Sequence, residues 1–267
     1  MVALDTGTEQ LRCDISDGIA IVTFDNPAKR NALSAPIRAA LPGVLRSLQA
    51  DDAVRVVVLT GAGGKAFVSG ADISEFGDQR TTPEARADFD RGQADTARAW
   101  AALEKPIIAM IQGFCIGGGL LTALQADIRI CSDDSVFAVP AARLGLGYGF
   151  GGVEQLVQLV GPSWASEILF SARRLSAAEA VQAGLVNRVV PPEILEDEVF
   201  GLAGSIRDNA PLTVTALKVA IREARRAPDR RDLDRVAALV EACFRSADYR
   251  EGQAAFLEKR PPRFRGG

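Results

Sequence analysis

Short β-branched runs alternate with segments of helical period over the first two-thirds of the chain. IAIVTF at 19–24, VRVVVL at 54–59, IIAMI at 107–111, IRIC at 128–131 and VFAV at 136–139 predict strands. LVNRVV at 185–190 predicts a sixth, closed by Pro191 and Pro192. Between them, Ala35–Leu48 carries apolar residues at helical spacing, with Ser34 as the expected N-cap and Pro42 as a kink. Thr82–Leu103 predicts a longer helix, capped by Thr82 or Thr81, with Pro83 in its first turn.

From Pro192 onward the pattern is almost wholly amphipathic and helical: Glu193–Arg207, Leu212–Arg225, Arg231–Phe244 and Tyr249–Glu258. Strand–helix alternation followed by a helical tail predicts an α/β core over residues 1–191 and a helical C-terminal region over 192–267. No flexible linker separates the two, so the tail reads as an appendage of the core.

Composition narrows the chemistry. The 267 residues hold 31 Lys and Arg against 34 Asp and Glu, a net charge of −3, which favours neither nucleic acid nor an anionic membrane as partner. Cys13, Cys115, Cys131 and Cys243 form no CxxC pair and read as reduced thiols, so no metal site is expected. MVALDTGTEQ lacks the basic and apolar segments of a signal peptide, and no run approaches the ~20 apolar residues of a membrane span. A cytoplasmic protein is expected. Histidine is absent altogether. That excludes Ser-His-Asp and Cys-His hydrolysis and histidine-ligated metals, leaving carboxylates, Tyr, Lys, Cys or a held water as acid or base.

Three glycine-rich stretches follow. Gly145 to Gly152 contains GxGxxG, but Pro140 and Arg143 interrupt the strand such a dinucleotide turn needs, and Arg173 and Arg174 stand where an acid would be wanted. Gly117–Gly119 lies between the strand at 107–111 and a helix, LLTALQA. Glycines at a helix N-terminus let a carbonyl oxygen approach free backbone N–H groups. A second N–H from the turn Ser69-Gly70-Ala71-Asp72 would complete an oxyanion hole. Close helix–strand packing around small residues is the alternative.

Four stretches together resemble the crotonase superfamily (enoyl-CoA hydratase/isomerase): NPAKRNALS at 26–34, GAGGKAFVSGADISEF at 61–76, KPIIAMIQGFCIGGG at 105–119 and EGQAAFLEKRPPRF at 251–264. The resemblance runs from about Gly18 to Phe264. It implies a crotonase spiral of strand–strand–helix units with a helical C-terminal trimerisation region, in a homotrimer or homohexamer. It also implies an acyl-CoA substrate, with coenzyme A entering as part of the substrate and no separate cofactor. The thioester enolate would be held by the backbone N–H groups of Ala71 and Gly118. CoA would lie along Lys29, Arg30 and Ala32, with adenine near Ser69 and Ile73, and with Phe256 and Lys259 as C-terminal contacts.

The family's usual acid/base positions carry other residues here. Leu121 stands two residues after the triplet, where the hydratases of the family have one glutamate, and Ala141 follows Pro140, where they have the other. Gly149 occupies the carboxylate position of some isomerase relatives. Tyr148 aligns with a tyrosine of the methylmalonyl-CoA decarboxylase branch, which also lacks those glutamates; packing beneath the CoA channel is its structural alternative. Asp72 and Glu75 are expected to fix their turn and cap the next helix, Asp127 to be structural, and Glu154 to sit in the first turn of the following helix. Arg143 reads as either a contact for a substrate carboxylate or a surface ion pair. The leading expectation is an acyl-CoA enzyme of hydratase/isomerase type. The alternatives are a decarboxylase of malonyl-type acyl-CoA using Tyr148, and an acyl-CoA-binding protein without chemistry.

Overall fold

The computed structural model describes residues 1–75 and 82–267, the side chains of Ile73 and Arg86 excepted; Phe76 and Thr81 lie outside the described residues. In chain order the strands are β1 (Val2–Leu4), β2 (Leu11–Ser16), β3 (Ile19–Phe24), β4 (Val56–Gly61), β5 (Ala66–Val68) and β6 (Ile107–Ile111). Then come β7 (Phe114–Ile116), β8 (Ile128–Ser132), β9 (Val136–Ala138), β10 (Leu175–Ser176) and β11 (Arg188–Val190). The helices used below are α1 (Ala35–Ala50), α2 (Pro83–Ala102), α3 (Gly118–Ala123), α4 (Phe150–Ser171), α5 (Ala177–Gln182), α6 (Leu195–Arg207), α7 (Pro211–Ala224), α8 (Leu233–Arg245) and α9 (Ala247–Glu258).

A seven-stranded sheet has the order β1-β2-β3-β4-β6-β8-β11, and a four-stranded sheet the order β10-β9-β7-β5. From β3 to β11 neighbours in the large sheet are parallel, as are β5, β7 and β9 in the small one. Successive passes of the chain repeat one motif. β6, β7 and α3 form one turn, and β8, β9 and α4 the next: a strand in the large sheet, a strand in the small sheet, then a helix. This is the expected spiral.

The apolar runs explain why the large sheet lies inside. Val57 and Leu59 face one cluster with Phe24, Ile37, Leu45 and Phe67, while Val56 and Val58 face a second with Ile108, Ile130, Leu195 and Val199. Parallel strands covered on both faces need such continuous apolar sequence. The second cluster is closed by Leu195, Val199 and Ala203 of α6. The C-terminal region therefore starts with a helix that seals the core sheet. No described helix is long and apolar enough to cross a membrane.

The structure corrects several expected boundaries. Only Arg188–Val190 of the expected strand at 185–190 pairs; Leu185 and Val186 instead donate to the Ala180 carbonyl, closing the end of α5. The short strands β1, β5, β7 and β10, of two or three residues, carry too few to give a periodic signal, and the six-residue β2 adds to the expected strands. Glycines at 151, 152 and 161 hide α4 in the sequence, and Gly161 breaks its helical path with φ of 76°. α1 continues through the buried Pro42. Thr82 caps α2, its hydroxyl accepting the Ala85 N–H at 3.1 Å.

Candidate active site

Two loops are stitched together before any catalytic question arises. Asn31 is fully buried. Its Nδ2 donates to the carbonyls of Ala62 (2.9 Å) and Ala66 (2.7 Å), and its Oδ1 accepts the Asn26 N–H at 3.0 Å. Arg30 and Asn31 both take left-handed backbone (φ 52° and 57°), a conformation that costs a non-glycine residue free energy and is least unfavourable for Asn. The chain beyond then zips onto the turn at 69–72. Ser69 N–H donates to Arg30 O, Leu33 N–H to Gly70 O and Asp72 N–H to Leu33 O, the last long at 3.4 Å. Lys29 Nζ reaches Asp72 Oδ2 at 2.6 Å and Ser74 Oγ at 3.1 Å.

The ladder bonds use Leu33, Gly70 and Asp72, so the Ala71 N–H has no protein acceptor among the described residues. The Gly118 N–H is likewise free, as the first of a helix must be. Ala71 is half-buried between buried Gly70 and Asp72, and Gly118 is half-buried between buried Gly117 and Gly119. A Cβ placed on Gly118 would lie 3.5 Å from the Ala71 nitrogen. Two free, partly accessible N–H groups therefore sit on adjoining turns.

Each glycine of the triplet has its own reason. Gly117 has φ of 54° and donates its N–H to Ala138 O at 2.8 Å. Gly119 packs so closely on β5 that a Cβ would fall 2.0 Å from Val68 O. At Gly118 the nearest contact of a Cβ would be the flexible end of Leu33 at 3.3 Å, so its glycine is not imposed by packing alone. Close packing accounts for Gly119 and a left-handed backbone for Gly117, while Gly118 keeps its N–H facing the Ala71 turn.

The surroundings are apolar. Leu33, Leu121, Leu146 and Tyr148 pack, partly buried, against the main cluster that contains Ala141. A Cβ on Gly152 would meet Leu121 at 2.8 Å and the Tyr148 ring at 3.5 Å, so Leu121 and Tyr148 share one wall. The Tyr148 hydroxyl donates to Gly117 O over 3.5 Å. Burial pushes the Tyr148 phenol above its usual pKa, so it stays a neutral donor at physiological pH.

Both carboxylates after Ala71 are engaged. Asp72 takes Lys29 on one oxygen and Ser74 on the other; the hydrogen bond from the Lys29 ammonium, then Ser74, hold its carboxyl below the usual range against the opposing effect of burial. Glu75 reaches back to an earlier helix. It accepts the Ala35 N–H of α1 at 3.1 Å and pairs with Arg38 at 2.9 Å. Ser34 occupies the N-cap position of α1, but its hydroxyl is given to Gln10, which corrects the expected cap.

The model of the enoyl-CoA hydratase/isomerase family matches residues 14–267. The chain belongs to that family, within the crotonase superfamily. It is 37% identical to a crotonyl-CoA hydratase of Syntrophomonas wolfei over 96% of this chain and 98% of the relative. It is 38% identical to a short-chain-enoyl-CoA hydratase of Clostridium acetobutylicum, covering 91% and 92% of the two chains. In three dimensions it resembles an enoyl-CoA hydratase/carnithine racemase from Magnetospirillum magneticum, with a TM-score of 0.90, 33% identity and 97% of both chains covered.

Other residues of this family member fall as follows. Ala32 is buried; its N–H donates to Lys29 O. Ser69 Oγ donates to Lys29 O at 3.1 Å, so Lys29, Arg30, Ala32 and Ser69 lie in one stitched unit. Ile73 opens the short 3-10 turn that follows Asp72. Phe256 is 84% exposed near the end of α9, and Lys259 caps that helix in left-handed geometry. Neither is hydrogen-bonded or ion-paired to the loops at 29–34 or 69–72 among the described residues. Asp127 is structural, accepting the Ile107 N–H at 2.7 Å and Lys218 at 2.9 Å. Arg143 is exposed with no ion pair among the described residues, and Glu154 lies in the second turn of α4 rather than the first. Asn31 was not singled out by sequence reasoning; its only local signal is an Asn, tolerant of left-handed backbone, inside NPAKRNALS.

Proposed function

We propose that this enzyme acts on acyl-CoA thioesters by an enolate mechanism of enoyl-CoA hydratase/isomerase type. The Ala71 and Gly118 N–H groups would hold the thioester oxygen as it gains charge. The observation that carries this reading is the pair of unsatisfied N–H groups on adjoining turns, with no side chain on Gly118 to block the approach. Each such donor is worth ~3–4 kcal/mol in the transition state. The names of the relatives point to short-chain enoyl thioesters as the first substrates to try.

Leu121 and Ala141 bring no proton-transfer group, so hydration or isomerisation would have to use a held water, with Tyr148 as the nearest hydroxyl in this wall. That hydroxyl favours a second reading, decarboxylation of a malonyl-type acyl-CoA. The carboxylate C–C bond breaks, its electron pair enters the thioester enolate, carbon dioxide leaves and water returns a proton to the α-carbon. This needs no base, only an oriented carboxylate and a neutral donor. We also propose self-association, as a homotrimer or homohexamer, through the C-terminal helices. Leu217, Ile221, Leu233 and Phe244 are exposed there in the isolated chain, beyond what a solvent-facing helix normally carries. Four free cysteines accord with the cytoplasm.

Mass spectrometry of products from a panel of enoyl-CoAs and malonyl-type acyl-CoAs tests the reading. Gain of water supports hydration, loss of carbon dioxide the second reading. Binding without reaction would leave a thioester-binding protein that has lost its chemistry.

A further inference from the structure

Two basic doublets, far apart in sequence, share an unusual division of labour. In Lys29-Arg30, Lys29 is ion-paired to Asp72. In Arg173-Arg174, Arg173 is bonded to both Glu167 and Glu179. The second member of each doublet has no ion pair and no side-chain hydrogen bond among the described residues. Both of these unpaired guanidiniums approach the same ring: Arg30 lies 4.9 Å and Arg174 5.7 Å from the Phe114 centroid.

The fold brings them there. Arg174 directly precedes β10, whose Leu175 pairs with Phe137 of β9, and β9 in turn pairs with β7, which begins at Phe114. Arg30 arrives from the loop before α1, its backbone fixed in left-handed geometry with its carbonyl bonded to the Ser69 N–H. A ring face attracts one guanidinium. Two unpaired guanidiniums beside one ring repel each other, and an anion seated between them removes that cost. The planar guanidinium fork fits phosphate oxygens in particular.

We propose that Arg30 and Arg174, supported by Phe114, form a two-pronged phosphate site for the CoA portion of the substrate. Arg174 and Phe114 thereby become specificity residues for a phosphorylated carrier. This rests on the acyl-CoA reading above.

Calorimetric titration of the full-length protein separates the two ideas. Wild type binding CoA supports the acyl-CoA reading; folded wild type that does not bind CoA overturns that reading and the phosphate site with it. Given wild-type binding, Arg174→Ala is expected to weaken CoA about tenfold, with the loss falling on KM rather than kcat in any reaction found. Arg174→Lys should recover only part of the loss. The penalty should vanish for a pantetheine thioester, which carries no phosphate. A penalty that persists with dephospho-CoA assigns the diphosphate, and one that disappears assigns the 3′-phosphate; either supports the proposal. Unchanged CoA affinity in Arg174→Ala, or an equal loss with the pantetheine thioester, overturns the site while leaving the acyl-CoA reading intact. Arg174 is exposed, so the variant should keep the wild-type melting temperature.

Discussion

The glycines at 117–119 and those at 145–151 look alike in sequence and are opposites in the fold. A Cβ on Gly119 would collide with Val68 O at 2.0 Å, whereas Cβ atoms on Gly145, Gly147, Gly149 and Gly151 would meet nothing within 4 Å. The first group lets a helix press against a strand and leaves Gly118 open between its neighbours. The second group is a loop and helix start whose glycines packing does not demand. Glycine content therefore says little until the space around each Cα is known.

The sharpest break of that comparison is in stability. Gly119→Ala should destabilise by about 3–5 kcal/mol in denaturant titration, because backbone rather than a movable side chain is in the way. A cost under about 1 kcal/mol would mean that α3 can lift off β5. Next is Gly118→Ala, where the added methyl faces Leu33 and the Ala71 nitrogen. The fold should survive, while turnover in whichever reaction is found falls roughly 10²–10³-fold. Wild-type kinetics in that variant would remove Gly118 from the mechanism. Tyr148→Phe should lower turnover about 10–100-fold with little change in melting temperature, if its hydroxyl orients the substrate or a water. Unchanged decarboxylation would reduce Tyr148 to a packing residue.

A smaller effect concerns the turn that holds Ala71. The Asp72 carboxyl is held below its ordinary value of 3.8, chiefly by its hydrogen bond from Lys29. A depressed carboxyl pKa gives stability that is full above the unfolded value and fades as acid carries the folded group through its lower one. Asp72→Asn should thus flatten the dependence of melting temperature on pH below about pH 4. Equal acid profiles for variant and wild type would show the pair with Lys29 to be neutral. Gly147→Ala is the smallest change, within about 0.5 kcal/mol of wild type, and completes the contrast with Gly119.

The legible part of the fold was its longest periodic segments. IAIVTF and IIAMI form strands over their whole length, because runs buried on both faces leave no alternative environment. In the second sheet VFAV at 136–139 was legible as β9, whereas β5, β7 and β10, with two or three residues each, carry no period of their own. At the site, the motifs placed Ala71, Gly118 and Tyr148 in adjoining segments. The carboxylates illustrate the limit: Glu75 accepts the N–H of Ala35 at the start of α1, a contact set by folding and not by sequence distance.

By itself the sequence determined the α/β class, the absence of any histidine chemistry and the family motifs, because these depend on residue type, local period and order. Only the tertiary structure decided that Asn31 clamps two loops, that Gly119 is imposed by packing while Gly118 is left open, and that Arg30 and Arg174 meet at Phe114. Those are distances between segments remote in the chain, fixed by register between strands and by the volume each side chain occupies.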